Sequence, residues 1–226
     1  MNSYLFNGQK YGWGPGVATL NSDKAALLQK YAQGKCLDIG FGSGLYTQHL
    51  RSLGHQVQGV DNQALFVQAA AKKYPEIPFM LGDIHRLPFK KGEFQTTIAF
   101  DILEHVEDTV ALKEIFRVSK RLIFSVPIKN QEILLHYGLS HSHYLDNTHL
   151  RVYSLKSLRK LFAPFSCKII FLKPSLPLSL SGLLIERLSG QNKLLKVLLK
   201  IILKPFLPEP PLYSTIFGVL EKQSLS

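Results

Sequence analysis

The sequence has few cysteines and no long apolar run, and both absences limit the class of protein. Its 226 residues include two cysteines, Cys36 and Cys167, each within an apolar, strand-like segment. This placement favours buried core thiols over a disulfide or a metal site, and it suits a reducing cytoplasm. No run of about 18 uninterrupted apolar residues occurs, so no transmembrane helix is predicted. Residues 1–20 lack a basic start followed by an apolar core, so no secretory signal is expected.

Acidic residues are scarce in the last third of the chain. The formal net charge is +11. Residues 1–150 carry 15 basic and 13 acidic residues, whereas residues 151–226 carry 12 and 3. The end of the chain is therefore the part that would attract an anionic partner, such as a membrane surface or a nucleic acid.

Strand-like and helix-like segments alternate along most of the chain. This alternation predicts an α/β fold, with a parallel sheet covered by helices on both faces. Apolar residues make up 46% of the chain, enough for one substantial core. Ser22 is a predicted N-cap. The predicted helices are 23–33, 45–53, 63–74, 109–118 and 154–162, and the predicted strands are 35–39, 55–60, 77–81, 95–100, 121–126, 166–172 and 213–221.

The stretch C-L-D-I-G-F-G-S-G at 36–44 contains most of the first predicted strand and the three glycines at its end. Glycines there allow positive φ and let a ligand approach the backbone. A dinucleotide site would have glycine at position 45, which is leucine, and a phosphate loop would need a Gly-Lys-Ser/Thr sequence that is absent. A carboxylate at Asp38 would repel a pyrophosphate but would suit a cationic ligand.

This stretch resembles motif I of the class I S-adenosylmethionine (SAM) methyltransferases, acidic-x-G-x-G-x-G. Three further strand ends are similar to that family: Asp61 comes 23 residues after Asp38, Asp83 follows the third strand, and F-D-I-L-E-H-V at 100–106 is similar to D-x-L-E-H-V. The resemblance covers about 35–172 and resumes at the final strand. It implies one domain over 1–226, with a Rossmann-like, mostly parallel seven-stranded sheet. The last strand would be antiparallel, and a helical insertion would separate strands six and seven.

The resemblance also implies roles at the strand ends. The glycine loop and Asp38 would lie beside the methionine part of SAM, Asp61 would accept hydrogen bonds from the ribose, and Asp83 and the Ile84 backbone would face the adenine. Local explanations stay open, since each aspartate could instead cap a helix or form a turn. The predicted cofactor-binding residues are Asp38, Gly40, Phe41, Gly42, Gly44, Asp61, Asn62, Asp83, Ile84, Phe100 and Asp101.

Histidines are concentrated at 136–149, within a segment (128–150) that in this family lies over the acceptor pocket. Residues 146–151 resemble a D-x-T-H-x-R segment of small-molecule members. Three interpretations compete: a catalytic base, structural hydrogen bonding, and a metal site. The spacings fit no familiar zinc pattern, so no metal is predicted. The predicted catalytic base is His143 or His149, and His105 is the next candidate, for which a structural role stays open.

Two further segments have open interpretations. The aromatic arm at 1–21 would fold over the cofactor or pack on the sheet edge. In the proline-rich insertion at 173–211, lysines recur at three- and four-residue spacings over 193–204, among Leu, Ile and Val. That helix would pack as a cap over the active site, or it would contact a membrane peripherally. Nucleic acid is disfavoured, because few aromatic residues lie nearby for stacking.

The predicted function is SAM-dependent methyl transfer to a small-molecule acceptor in the cytoplasm, with membrane association as an option. An oxygen acceptor is favoured, on an apolar or glycan-linked molecule. The sequence has no N-P-P-Y or D-P-P-Y after the fourth strand, which disfavours methylation of adenine or glutamine amino groups. Neither cysteine lies at a motif, which disfavours a pyrimidine methylase with a cysteine nucleophile. The alternatives are an RNA or protein methyltransferase that docks through the basic tail, and a SAM-binding partner protein without turnover.

Overall fold

Seven strands form one sheet in the computed structural model, which describes residues 19–139 and 146–223. The sheet order is β3-β2-β1-β4-β5-β7-β6. Strands β1 to β5 pair in parallel, whereas β7 pairs antiparallel with both β5 and β6. The predicted fold is therefore confirmed. The strands are β1 Cys36–Ile39, β2 Val57–Asp61, β3 Phe79–Leu81, β4 Phe94–Phe100, β5 Ser119–Pro127, β6 Cys167–Leu178 and β7 Leu212–Lys222.

Helices cover both faces of the sheet. The first helix begins one residue earlier than predicted, because its N-cap is Asn21 and not Ser22. The Asn21 Oδ1 accepts from the backbone N–H groups of Asp23 and Lys24 at 3.0 Å each. The α-helices are α1 Ser22–Tyr31, α2 Leu45–Ser52, α3 Ala64–Lys73, α4 Asp108–Val118, α5 Gln131–His136, α6 Leu155–Phe162, α7 Leu180–Ser189 and α8 Lys193–Leu203, and short 3-10 turns span Leu103–His105, Ala163–Phe165 and Lys204–Phe206.

Alternate residues of the central strands divide between two cores. Leu37 and Leu122 pack with the buried residues of α4 and α6 on one face. Cys36 and Ile123 pack with α1 and α2 on the other. This is the pattern of a sheet buried on both faces, where successive side chains point in opposite directions. Both cysteines are free, and Cys36 is fully buried while Cys167 is half-buried.

Strand β6 is longer than predicted. It continues to Leu178 through Pro174 and Pro177, which pair with Ile216 and Tyr213 of β7. A proline lacks the N–H that a central strand needs, but β6 lies at the edge of the sheet and has a partner on one side only. Two of the prolines on which the predicted insertion from 173 was based therefore lie in β6. The helical insertion itself begins after Leu178.

The insertion packs on the segment that precedes α6. Leu134 and Leu139 of that segment, Leu180 of α7 and Leu212 of β7 form a small apolar cluster. Helix α5, which the sequence pattern did not predict, contributes Leu134. No helix in the described ranges is long and apolar enough to cross a bilayer. Most of the predicted arm (1–18) and residues 140–145, including His143, lie outside the described residues.

Candidate cofactor and acceptor site

The glycine loop connects β1 to α2 with three left-handed residues. Gly40, Gly42 and Gly44 have φ of +66°, +55° and +74°. The Gly40 N–H donates to the Val60 carbonyl of β2 at 2.8 Å. A Cβ placed on Gly40 would lie 2.1 Å from the Cδ1 of Ile102. Glycine is thus required there by backbone conformation and by the approach of Ile102.

The remaining residues of the loop hold it in place. Phe41 is buried and packs against Phe79, with ring centroids 4.6 Å apart. Its side chain therefore anchors the loop, and only its backbone could face a ligand. Gly44 is the N-cap of α2 and, having no side chain, makes no capping hydrogen bond of that kind within the described chain. The first turn of α2 thus presents N–H groups and the positive end of its dipole, which favour an anionic group such as a carboxylate.

Asp38 is buried at the end of β1. Its Oδ2 accepts a hydrogen bond from the Thr47 hydroxyl at 2.7 Å. Burial raises the pKa of Asp38 to about 7, the Thr47 hydrogen bond opposes that rise, and nearby Asp61 adds to it. Burial therefore disfavours the ionised form of Asp38, and a cationic ligand beside it would stabilise that form.

Asp61 lies at the end of β2 and is also buried. Its two oxygens accept from the backbone N–H groups of Gly42 at 3.2 Å and Gln63 at 2.9 Å. Burial raises the pKa of Asp61, while these backbone hydrogen bonds oppose the rise. We call Asp38, Asp61 and the three glycines the glycine-loop edge. The structure brings all five together, as the sequence predicts.

The predicted adenine-facing residues are arranged differently. Asp83 is exposed, and its Oδ1 accepts from the His85 backbone N–H at 2.9 Å and lies 2.8 Å from His85 Nδ1. Those contacts with His85 lower the pKa of Asp83. Asn62 is exposed, and the Ile84 side chain is buried in the core. The contact with the His85 N–H is that of an aspartate that forms a turn, which was the local explanation left open for Asp83. A role for Asp83 in adenine binding stays a prediction.

The end of β4 carries an ion pair that the sequence analysis missed. Asp101, at φ +55°, lies 2.5 Å from Lys24 Nζ of α1, and its Oδ1 accepts from the Ser125 hydroxyl at 2.7 Å. Lys24 also lies 5.1 Å from the Phe100 ring centroid. Burial acts to lower the pKa of Lys24, but Asp101 and Tyr46 outweigh it, so the pKa is raised and the ammonium stays charged.

Glu104, His105 and His149 come together beside this ion pair; we call them the Glu104 cluster. The His105 and His149 rings stack edge to face, with centroids 4.5 Å apart. Glu104 is fully buried, and among the described residues neither of its carboxylate oxygens has a hydrogen-bond partner. Burial, and then Asp101, raise the pKa of Glu104 well above its usual value. One donor atom from each of the three lies within 4.8 Å of the others, a spacing that also suits a metal ion.

Residues 146–151 are held against the 3-10 turn after β4. The Leu150 N–H donates to the Glu104 carbonyl at 2.8 Å, and Arg151 Nη1 donates to the Val106 carbonyl at 2.8 Å. Arg151 also lies 3.1 Å from Asp108 Oδ2. These contacts give much of the D-x-T-H-x-R segment a structural role, and they place His149 beside His105.

Comparison with known proteins agrees with this geometry. Residues 37–122 match the family described as Methyltransferase domain. Over these residues the chain is similar to that methyltransferase family. The resemblance noted in the sequence is confirmed over the strands that build the glycine-loop edge and the end of β4.

Two curated relatives align with about half of the chain. A demethylmenaquinone methyltransferase of Streptomyces griseus is 36% identical over 121 residues, which is 53% of this chain and 49% of the relative. A malonyl-[acyl-carrier protein] O-methyltransferase of Erwinia billingiae is 32% identical over 114 residues, 49% of this chain and 45% of the relative. The chain thus matches about half the length of these relatives.

Solved structures extend the similarity of fold to nearly the whole chain. Magnesium protoporphyrin IX methyltransferase from Synechocystis, solved with bound S-adenosylhomocysteine (SAH), superposes with a TM-score of 0.63. The superposition covers 98% of this chain and 96% of that one, at 17% identity. At that identity the likeness concerns the fold.

The family implies SAM as methyl donor, and the residues of the glycine-loop edge fit it. Left-handed glycines leave the backbone open, α2 presents uncapped N–H groups, and two buried carboxylates stand at successive strand ends. SAM carries a carboxylate, an ammonium, a sulfonium and ribose hydroxyls, which are complementary to these groups.

Sequence reasoning missed several polar residues of the site. Glu104 lies within the quoted 100–106 motif, so the motif could have drawn attention to it. Thr47 and Ser125 carry no pattern of their own, and Lys24 reaches Asp101 across 77 positions of sequence. Only the folded chain shows these partners.

Proposed function

We propose that this protein transfers a methyl group from SAM to a small-molecule acceptor. The observation that carries the proposal is the convergence of two buried carboxylates and a left-handed glycine loop at the carboxyl ends of β1 and β2. When bound, SAM supplies an activated methyl group on a sulfonium. The chain itself would supply alignment, a desolvated site and, for a protonated acceptor, a base.

His105 is the described residue best placed to act as that base. The Thr148 hydroxyl lies 2.6 Å from Asp146 Oδ1, to which it donates, and 2.9 Å from His105 Nδ1. With its proton committed to Asp146, Thr148 Oγ1 accepts from Nδ1–H, and the Thr148 carbonyl is a second acceptor at 3.3 Å. The ring would then carry its lone pair on Nε2, the atom that takes a proton.

The protonation of the cluster also favours this role. Burial lowers the pKa of His105, and the neighbouring His149 lowers it further. A neutral imidazole at neutral pH can receive a proton, whereas an imidazolium cannot. His149 and His143 remain the other candidates from the sequence, and His143 lies outside the described residues.

We infer an oxygen acceptor on an apolar small molecule. A base is required when a hydroxyl must lose its proton. The segment that the sequence places over the acceptor (128–150) also carries two exposed apolar side chains, Leu135 and Leu150. The first acceptors to test follow from the names of the relatives: demethylmenaquinone, and a malonyl group on acyl-carrier protein.

The test is methyl transfer from isotope-labelled SAM to these two acceptors and to a panel of hydroxylated small molecules. With an accepted substrate that is methylated on a hydroxyl, His105→Gln should lower kcat about a hundredfold or more, since general-base catalysis contributes roughly 10²–10⁴-fold. Thr148→Val should lower kcat less and shift the acidic limb of the pH profile, because it alters the hydrogen bond that fixes the ring. SAM affinity should change little in either variant.

The matched control is His55→Gln, because His55 Nδ1 contacts the Gly34 carbonyl at 3.1 Å, away from the cluster. It should keep full turnover. Full turnover in His105→Gln would remove His105 from the mechanism and return the role to His149 or His143. Loss of turnover on adding a chelator would instead favour a metal at the Glu104 cluster.

Two other functions stay as outcomes of these tests. Salt-dependent RNA binding with methyl transfer to RNA would favour a nucleic-acid methyltransferase. SAM binding without turnover on any acceptor would favour a SAM-binding partner protein. The glycine-loop edge has two buried carboxylates and the Glu104 cluster has a candidate base, and this combination supports an enzyme.

A further inference from the structure

Helix α8 and the turn after it expose a continuous apolar surface. Leu194 is 84% exposed, Ile201 is 70% exposed and Phe206 is 87% exposed. Within the described chain, none of the residues of α8 is buried. Other large apolar side chains share this surface, which we call the α8 face: Leu194, Leu195, Val197, Leu198, Ile201, Ile202 and Phe206.

Lysines line one side of the α8 face. Lys193, Lys196, Lys200 and Lys204 follow one another at spacings of three and four residues, so they share one stripe of the helix. At about 100° per residue the exposed apolar residues fall in the neighbouring arc. Residues 187–208 contain no aspartate or glutamate. The surface is therefore apolar along one arc and cationic along its border.

The remaining arc of α8 contacts α7. Leu199 and Leu203 are half-buried, and Lys196 Nζ lies 3.1 Å from Glu186 Oε1 of α7. Asn192 caps the helix by accepting from the Leu195 N–H at 3.0 Å. Helix α7 in turn joins the apolar cluster of Leu134 and Leu180. The exposed face is thus presented by a helix that is capped and attached to the domain.

We propose that the α8 face binds the surface of an anionic lipid bilayer, with the helix lying along the interface. An 11-residue helix with an apolar arc bordered by lysines has the form of an interfacial helix, and its charges complement anionic headgroups. A second copy of the chain is a poorer occupant, because the α8 segment holds no acidic residue to neutralise the lysines of a facing α8. This proposal is independent of the methyl-transfer reaction.

Flotation of the full-length protein with vesicles tests the proposal. Vesicles of phosphatidylcholine alone are compared with vesicles containing phosphatidylglycerol, at low and at high salt. We expect binding to the anionic vesicles that weakens with salt. Leu194→Gln combined with Ile201→Gln should reduce the partition coefficient by about tenfold or more, because it removes two of the most exposed apolar groups. Lys200→Glu combined with Lys204→Glu should reduce it by about tenfold on anionic vesicles.

Matched controls exist elsewhere on the surface. Lys156 and Lys160 of α6 are exposed at the same four-residue spacing, so Lys156→Glu with Lys160→Glu makes the same charge change away from α8. Val110 and Ile170 are 38% and 37% exposed and provide the apolar control, Val110→Gln with Ile170→Gln. Circular dichroism on all variants verifies folding.

Three results would overturn the proposal. Wild-type protein that does not float with anionic vesicles at low salt would do so directly. Equal losses in the α8 variants and their controls would show that net charge or general surface character is responsible. A dimer in sedimentation equilibrium that Leu194→Gln with Ile201→Gln abolishes, without vesicle binding, would assign the face to a second copy of the chain.

Discussion

The glycine-loop edge and the Glu104 cluster differ in how far along the sequence the partners of their side chains lie. At the glycine-loop edge, Asp38 bonds to Thr47 nine residues away, and Asp61 bonds to Gln63 two residues away. In the Glu104 cluster, His105 depends on Thr148, 43 residues away. Most side-chain contacts of the proposed cofactor half are thus made over short stretches of sequence, whereas the proposed acceptor half is assembled from distant segments. This difference explains why motifs were enough to place the loop and its two carboxylates, whereas His143, His149 and His105 were named as candidates without the partners that orient them.

The largest effect should come from Gly40→Ala. Both the φ of +66° and the 2.1 Å approach of Ile102 Cδ1 oppose a Cβ there. We expect a loss of about 2–4 kcal/mol in the free energy of unfolding. We also expect SAH affinity to fall by roughly a hundredfold, since the loop must move. Denaturant unfolding and calorimetric titration of SAH measure the two effects.

Gly92→Ala is the matched control for Gly40→Ala. Gly92 has a φ of +67°, but no described atom lies within 4 Å of an added Cβ. It should lose only about 1 kcal/mol of stability and keep its SAH affinity. Adding Ile102→Ala to Gly40→Ala should restore part of the lost stability. Equal effects in the two glycine variants would show that backbone strain alone, and not the packing of the loop, sets the requirement.

A smaller effect concerns the pH dependence of stability. Because burial raises the pKa of Asp38 to about 7, the folded protein binds more protons than the unfolded chain between the usual carboxyl pKa and pH 7. The free energy of unfolding should therefore fall as pH rises through that window. Asp38→Asn should flatten this fall, as measured by denaturant unfolding of the ligand-free protein from pH 5 to pH 8.

Glu104 affects the same profile with the same sign, because burial also raises its pKa. Glu104→Gln should therefore flatten a further part of the fall, and the double variant should be the least pH-dependent. Variants whose stability has the same pH dependence as the wild type between pH 5 and pH 7 would contradict the burial of neutral carboxyl groups at these two sites.

The smallest effect should come from Asp83→Asn. This carboxylate is exposed and already accepts from the His85 backbone, an interaction that asparagine can reproduce. We expect less than about a threefold change in SAH affinity, measured by calorimetry. A loss as large as tenfold would instead place Asp83 against the adenine and restore its predicted role.

The sequence predicted most of the fold because its signals are local. Apolar runs ending at glycine or aspartate marked β1 to β4, and the family resemblance supplied the antiparallel last strand. The extension of β6 through Pro174 and Pro177 could not be predicted, because an edge position is a property of the assembled sheet. Helix α5 was missed because its six residues are too few to show a clear period.

Single sequence motifs predicted which residues would meet at the glycine-loop edge, but not the partners that come from other segments. Asp38, Asp61 and the glycines are brought together as expected, whereas Lys24 and Thr148 are recruited from remote segments. The burial of Glu104 without a partner among the described residues also depends on surrounding elements. These contacts and this burial form only when distant segments pack together, so the order of residues along the chain does not indicate them.

The proposed function depends first on whether the glycine-loop edge binds SAM. Calorimetric titration of SAM and SAH into the wild type and Asp61→Ala measures this binding. We expect micromolar binding to the wild type and a loss of roughly a hundredfold in Asp61→Ala, because the missing ribose hydrogen bonds are worth ~2–3 kcal/mol. Absence of binding to a folded wild type, or equal affinity in the variant, would contradict SAM binding at the glycine-loop edge.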